Sequence, residues 1–165
     1  MTHPQTDRPV MPQGYGVESA TAYVAWEDVV DRLTESKHYW LATTRSDGRP
    51  HVVPRWGVWL DDRFWYDGSP ETLHVRNLEA DSRCTLNLES GQEVVIVEGR
   101  SQMPDVITDD LGQRLAAEYS RKYGPDYQPS PDQWSGELAG GMRYLEPEKV
   151  LAWTTFPSDL TRFRF

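Results

Sequence analysis

Arg55 stands in a run that is otherwise apolar and aromatic, His51-Val52-Val53-Pro54-Arg55-Trp56-Gly57-Val58-Trp59. Alternation along a strand puts His51, Val53, Arg55, Gly57 and Trp59 on one face. A guanidinium taken out of water needs an anionic partner, so Arg55 either meets an anion or lies on an exposed strand face. Further on, Tyr66-Asp67-Gly68 leads into Ser69-Pro70-Glu71. That triplet reads as a helix start, with Ser69 as N-cap, Pro70 in the first helical position and Glu71 complementing the dipole. Free amides and the positive dipole end make such a start a natural phosphate site. Thr72, His74 and Asn77 follow within the first turns and offer hydroxyl, imidazole and amide donors. Each alone reads as a cap or a solvated face. Together, beside Arg55, they describe a site for a small anion.

Other chemistry lacks its residues. No GxGxxG or GxxxxGK[ST] pattern occurs, and Gly68-Ser69 is not a GxSxG elbow, because Glu71 stands where the second glycine belongs. His3, His38, His51 and His74 have neither metal-ligand spacing nor cysteine partners, so no metal site is expected. Cys84 opens a strand and reads as a buried bystander. Asp61-Asp62 and Asp109-Asp110 read as a turn and a helix start. If the chain is an enzyme, a bound cofactor carries the hard step and no catalytic side chain is named.

The elements that would position these residues follow from periodicity. Residues 1–25 form an irregular lead-in punctuated by Pro4, Pro9, Pro12, Gly14 and Gly16, and residues 26–165 form one domain. Trp26, Val29, Val30 and Leu33 fall at helical spacing, predicting a short helix over 26–37. Strands are predicted at 39–44, 49–60 and 63–66, joined by turns at Ser46-Asp47-Gly48 and Asp61-Asp62. A helix from Ser69 to Ala80 precedes strands at 83–89 and 94–99, and a charged helix runs from Thr108 to Tyr123. A loop covers 124–141, with Pro125, Pro129, Pro131, Gly136, Gly140 and Gly141. Two last strands occupy 143–153, broken around Pro147, and 161–165. Six to seven strands, mostly joined by hairpins, with two or three helices make an antiparallel barrel with attached helices, not a βαβ series.

Composition limits the partners. The 165 residues carry a net charge of −9. That surplus argues against a phosphate-backbone binder and against an anionic membrane surface. A single cysteine, no long apolar run and no signal peptide point to a cytoplasmic protein. The charge is uneven: residues 43–83 carry a net of only −1, the least repulsive place for an anionic ligand. The cations are mostly arginine, with lysine only at 37, 122 and 149. Arginine suits bidentate recognition of phosphate, although base composition would give the same excess.

The runs DGRPHVVPRWGVW (47–59), FWYDGSPETLHVRNLEADSR (64–83) and VVIVEG (94–99), with the closing Thr161-Arg162-Phe163-Arg164-Phe165, resemble the pyridoxamine 5′-phosphate oxidase-like split β-barrel superfamily. More narrowly they resemble its flavin/deazaflavin-dependent oxidoreductases. The resemblance implies a Greek-key-type split barrel, homodimeric, with two cofactors in clefts between subunits. It implies that Pro50 through Arg55, and so His51, Val52, Val53 and Pro54, line the flavin ring and phosphate, with Arg55 the cation near the phosphate. Tyr66 and Asp67 would lie along the cofactor chain, Thr72 would contact the phosphate, His74 would replace the family's lysine, and Asn77 would follow on the same helix. Trp56 and Trp59 would wall the ring pocket. Val94 replaces a glutamine found in true pyridoxamine phosphate oxidases, so another substrate is implied. The expected activity is hydride transfer between coenzyme F-420, favoured over FMN, and a small unsaturated organic substrate. The alternatives are a non-catalytic split barrel that binds, stores or senses flavin, and a haem binder.

Overall fold

A computed structural model describes residues 3–14, 22–135 and 141–165. Three helices and nine strands are described. They are β1 (Gln5–Asp7), α1 (Trp26–Glu35), β2 (Tyr39–Thr44), β3 (Pro50–Arg55), β4 (Val58–Leu60), β5 (Arg63–Tyr66), α2 (Leu73–Ala80), β6 (Arg83–Asn87), β7 (Val94–Gln102), α3 (Asp109–Tyr123), β8 (Arg143–Trp153) and β9 (Thr161–Arg164). All pairings are antiparallel, in the order β1-β9-β8-β7-β6-β2-β3, with β5 joining β4 to β8. This is the split barrel with attached helices that the sequence predicts.

Two apolar clusters hold it together. Inside the barrel, Leu41, Phe64, Tyr66, Leu86, Val97, Leu145, Val150 and Phe163 pack against Trp26, Val29 and Leu33 of α1. Outside, α3 lays Leu115, Ala116, Tyr119 and Tyr123 on Val58 and Trp65. The strand β5 is covered on both faces, Phe64 and Tyr66 looking inward and Trp65 toward α3. An alternating strand covered on both sides reads as the continuous apolar run seen in Phe64-Trp65-Tyr66. The helix α3 starts where Thr108 accepts a hydrogen bond from the Leu111 amide, with Asp109 and Asp110 at its positive end.

Four expectations are corrected. The strand predicted over 49–60 is two strands, broken at Trp56-Gly57. The Gly57 amide donates to the Tyr123 hydroxyl (2.9 Å), and its carbonyl accepts from Lys122 Nζ (3.2 Å), so α3 takes both groups that a ladder would use. Gly57, Trp59 and Arg55 therefore do not share one strand face. The helix predicted from Ser69 begins at Leu73, because Pro70 sits in a turn closed by the Thr72 amide on the Ser69 carbonyl (3.2 Å). The lead-in is not wholly irregular: β1 pairs with β9, and Asp7 binds Arg162 through both carboxylate oxygens (2.7 and 2.9 Å). The last long strand is continuous, the proline being absorbed by a register shift between Glu98 and Gly99 opposite Pro147. These changes raise the strand count from six or seven to nine. The positions Gly136 and Gly140 of the predicted 124–141 loop lie outside the described residues.

Candidate functional site

The strand β3 ends the sheet path, so only β2 pairs with it. Its exposed side carries Pro50, Val52 and Pro54, with Val52 51% exposed; its other side carries His51, Val53 and Arg55, all half-buried. Proline is tolerated here because an edge strand has no second ladder to donate to. Val53 packs on the barrel core. His51 Nδ1 and Arg55 Nε are buried without a hydrogen-bond partner. The Arg55 guanidinium donates to the Asp67 carbonyl and lies 5.7 Å from the Tyr66 ring centre. In that way β3 is joined to the segment entering α2.

The start of α2 has no side-chain cap. Thr72 occupies the N-cap position in extended conformation, but its hydroxyl donates to the Ser69 carbonyl (2.9 Å) and lies 3.4 Å from His74 Nε2. No acidic residue stands in the first turn. Glu71 precedes the helix, and Ser69 Oγ accepts from its amide (3.2 Å) rather than capping α2. The helix therefore presents uncapped amides next to Arg55, His51 and His74, an arrangement that suits an anion.

His74 is 4% exposed. Burial first, then the positive charges of Arg55, His51 and Arg143, push its imidazole down to about 4. At neutral pH it is an uncharged donor or acceptor, not a cation. Asn77, also buried, donates to Thr43 Oγ1 (3.0 Å) and ties α2 to β2. Tyr66 is buried and hydrogen-bonded to Ser101 Oγ (2.6 Å), and burial pushes its phenol up to about 12. The carboxylate of Asp67 accepts from Tyr127 (2.7 Å) and from Trp134 Nε1 (3.0 Å).

Beside Arg55 opens a cavity of about 340 Å³ lined by Pro54, Arg55, Trp56, Asp67, Tyr119 and Tyr127. Trp56, 42% exposed, stacks on Tyr123 at 4.7 Å with 9° between planes. Trp59 does not join it. Its ring is in the barrel core, because the break at Gly57 separates it from β3. The tyrosines of α3 and Trp134 were not anticipated as site residues. The signal was available in the four-residue spacing of Tyr119 and Tyr123, which places them on one side of a helix, with Tyr127 in the turn beyond its end. The Cys84 thiol is buried and pushed up to about 12, which makes it a poor nucleophile. Among the described residues, no group of three metal-ligating side chains converges and no helix is long and apolar enough to cross a membrane.

The pattern of residues 25–153 matches the family model described as pyridoxamine 5′-phosphate oxidase. No curated protein matches in sequence. Solved structures share the fold at low identity. A structure named "F420 Reductase" is 20% identical, with 85% of this chain and 98% of that chain covered and a TM-score of 0.54. A FAD-binding protein from Mesorhizobium loti is 21% identical, covers 86% and 96%, and has a TM-score of 0.58. HutZ, the heme storage protein from Vibrio cholerae, is 19% identical, covers 76% and 92%, and also reaches 0.58.

Proposed function

The chain belongs to the pyridoxamine 5′-phosphate oxidase family, and from that premise we propose that it is an oxidoreductase using a phosphorylated flavin or deazaflavin, coenzyme F-420 or FMN. The observation that carries the reading is the uncapped start of α2 facing Arg55 and the neutral His74. Unpartnered buried nitrogens on His51 and Arg55 fit a phosphate ester that would complete their hydrogen bonds. When bound, the cofactor supplies hydride transfer to a small unsaturated organic substrate. The chain's own residues bind and orient it. Arg55 and the α2 amides hold the anionic end, and Trp56 and Tyr127 give flat apolar walls beside it. With His74 down at about 4 and Cys84 up at about 12, neither supplies an acid–base group tuned to neutral pH, in keeping with chemistry that belongs to the cofactor.

A second copy of the chain completes the cleft in this reading. Val52, Pro50 and Pro54 of the edge strand, with Trp40 paired to Pro54 on β2, leave an apolar face in water that a dimer would cover. The lone buried cysteine fits a reducing cytoplasm.

Titration with FMN, coenzyme F-420 and haemin, followed by absorbance and flavin fluorescence at pH 6 and pH 8, tests the reading. Micromolar binding of either flavin is expected, and binding of neither sinks it. A non-catalytic flavin holder is the second reading, since neither His74 nor Cys84 is tuned to neutral pH. Anaerobic reduction of the bound cofactor followed by reoxidation with an enone or quinone separates the two. Substrate-dependent reoxidation is the oxidoreductase result.

A further inference from the structure

We infer that Arg143 is a phosphate-binding residue, forming with Arg55 a two-arginine clamp whose cations come from β8 and β3 and meet at Tyr66. The inference rests on the phosphate reading above and adds the residue that makes a neutral histidine workable at this position.

Arg143 is 5% exposed, yet its partners among the described residues carry no charge. Its Nε donates to Ser101 Oγ (3.2 Å), and a terminal nitrogen donates to the Ser101 carbonyl (3.2 Å). No carboxylate among the described residues is within ion-pair distance of it, whereas the far more exposed Arg63, Arg83 and Arg162 are all paired. A guanidinium has five N–H donors, and the acceptors described for this one, Ser101 and the Tyr66 hydroxyl, are all neutral. A buried guanidinium held by neutral acceptors alone is costly, and the negative charge of a bound ligand would offset that cost.

The topology brings that anion to the start of α2. The β5–β8 register sets Arg143 opposite Tyr66, and Tyr66 carries the Arg55 guanidinium 5.7 Å from its ring centre. The hydroxyl of Tyr66 shares Ser101 Oγ with Arg143, so this one tyrosine is bracketed by both arginines. Just before β8, Gly141 is pressed against the approach to α2: a Cβ there would fall 2.0 Å from the Gly68 carbonyl oxygen and 3.8 Å from Pro70 Cδ. The positive charges of both arginines reach the His74 imidazole and oppose its protonation. Two permanent cations thus stand around Tyr66 and act on the neutral His74, and the ligand they suit is a phosphate ester.

FMN and riboflavin share ring and ribityl chain and differ in the phosphate, so their affinities isolate the clamp. R143Q is expected to bind FMN about tenfold or more weakly than the unsubstituted protein while binding riboflavin equally well, and R143K to recover part of the loss. Unchanged FMN affinity in R143Q, or equal losses of FMN and riboflavin, would overturn the inference. If the unsubstituted protein binds FMN no better than riboflavin, the phosphate reading itself falls. The same comparison with coenzyme F-420 shows which phosphate ester loses more in R143Q and is therefore the one held. Should R143Q not fold, the Arg143 Nε–H resonance, identified by its absence in R143K, is followed as inorganic phosphate is added. A shift supports the clamp, and its absence overturns it.

Discussion

Arg55 donates from its guanidinium to the backbone carbonyl of Asp67, so an edge strand and the approach to α2 are locked together by a single cation. The charge of the same side chain opposes protonation of His74, and its buried Nε has no hydrogen-bond partner. Under the proposed function, truncation removes a ligand contact and leaves the barrel core intact. Arg55→Ala is expected to weaken FMN or F-420 binding by about tenfold to a hundredfold, the range for charge-assisted hydrogen bonds, with the far-UV circular dichroism unchanged. Unchanged affinity would remove Arg55 from the site.

His74 makes the fold acid-sensitive. The folded imidazole titrates at about 4, against an ordinary value of 6.5, because burial and the charges of Arg55, His51 and Arg143 disfavour its protonation. Between those values the unfolded chain binds a proton that the folded chain does not, so stability falls as pH falls from 6.5 to 4 and levels off below. The loss is on the order of 1–3 kcal/mol. Urea unfolding at pH 7 and pH 5 should show a larger drop for the unsubstituted protein than for His74→Gln. Equal drops would assign the acid sensitivity elsewhere.

Lys122 acts over a different range. Its ammonium lies against Tyr39 (2.6 Å) and the Gly57 carbonyl (3.2 Å). Burial and the Arg121 charge push it down to about 7, against the pull of Glu118 and Glu35. Above pH 7 the folded lysine is neutral while the unfolded one stays charged up to its ordinary 10.5, so stability rises with pH across that window. Going from pH 7 to pH 9 is worth about 2–3 kcal/mol at most. Lys122→Met should remove this rise in denaturant midpoints, since Tyr39 still donates to the Leu33 carbonyl and the Gly57 carbonyl still faces Tyr123.

Gly57 has no room for a side chain. A Cβ would lie 2.4 Å from the Phe64 ring and 2.5 Å from the Trp65 carbonyl oxygen. Gly57→Ala is expected to cost about 1–3 kcal/mol, the usual price of overpacking, and to lower the melting temperature. A melting temperature equal to that of the unsubstituted protein would mean the β3–β4 break is softer than its contacts imply.

Elements with strong local signals were legible in the chain itself. Tyr39–Thr44 alternates, Asp61-Asp62 takes positive φ at both residues of a two-residue hairpin, and Thr108 caps a helix flanked by acidic residues. Arg55, Thr72 and His74 were legible there as candidates, since a cation on an apolar strand and donors at a helix start are patterns of neighbours.

Everything that depended on a distant partner was decided by tertiary structure. The break at Gly57 exists because Lys122 and Tyr123 claim its backbone groups, and Trp59 is core rather than cavity wall for the same reason. Trp134 joins the site through the carboxylate of Asp67, and Tyr127 does so both through that carboxylate and as a wall of the cavity beside Arg55. The neutral state of His74 follows from its burial and from charges on β3 and β8, and no carboxylate among the described residues pairs with Arg143. Local sequence determined which residues were capable of binding an anion. Burial and the charges around His74 and Arg143, which no local pattern encodes, decided which of them stands uncharged and which stands as a cation with no carboxylate partner among the described residues.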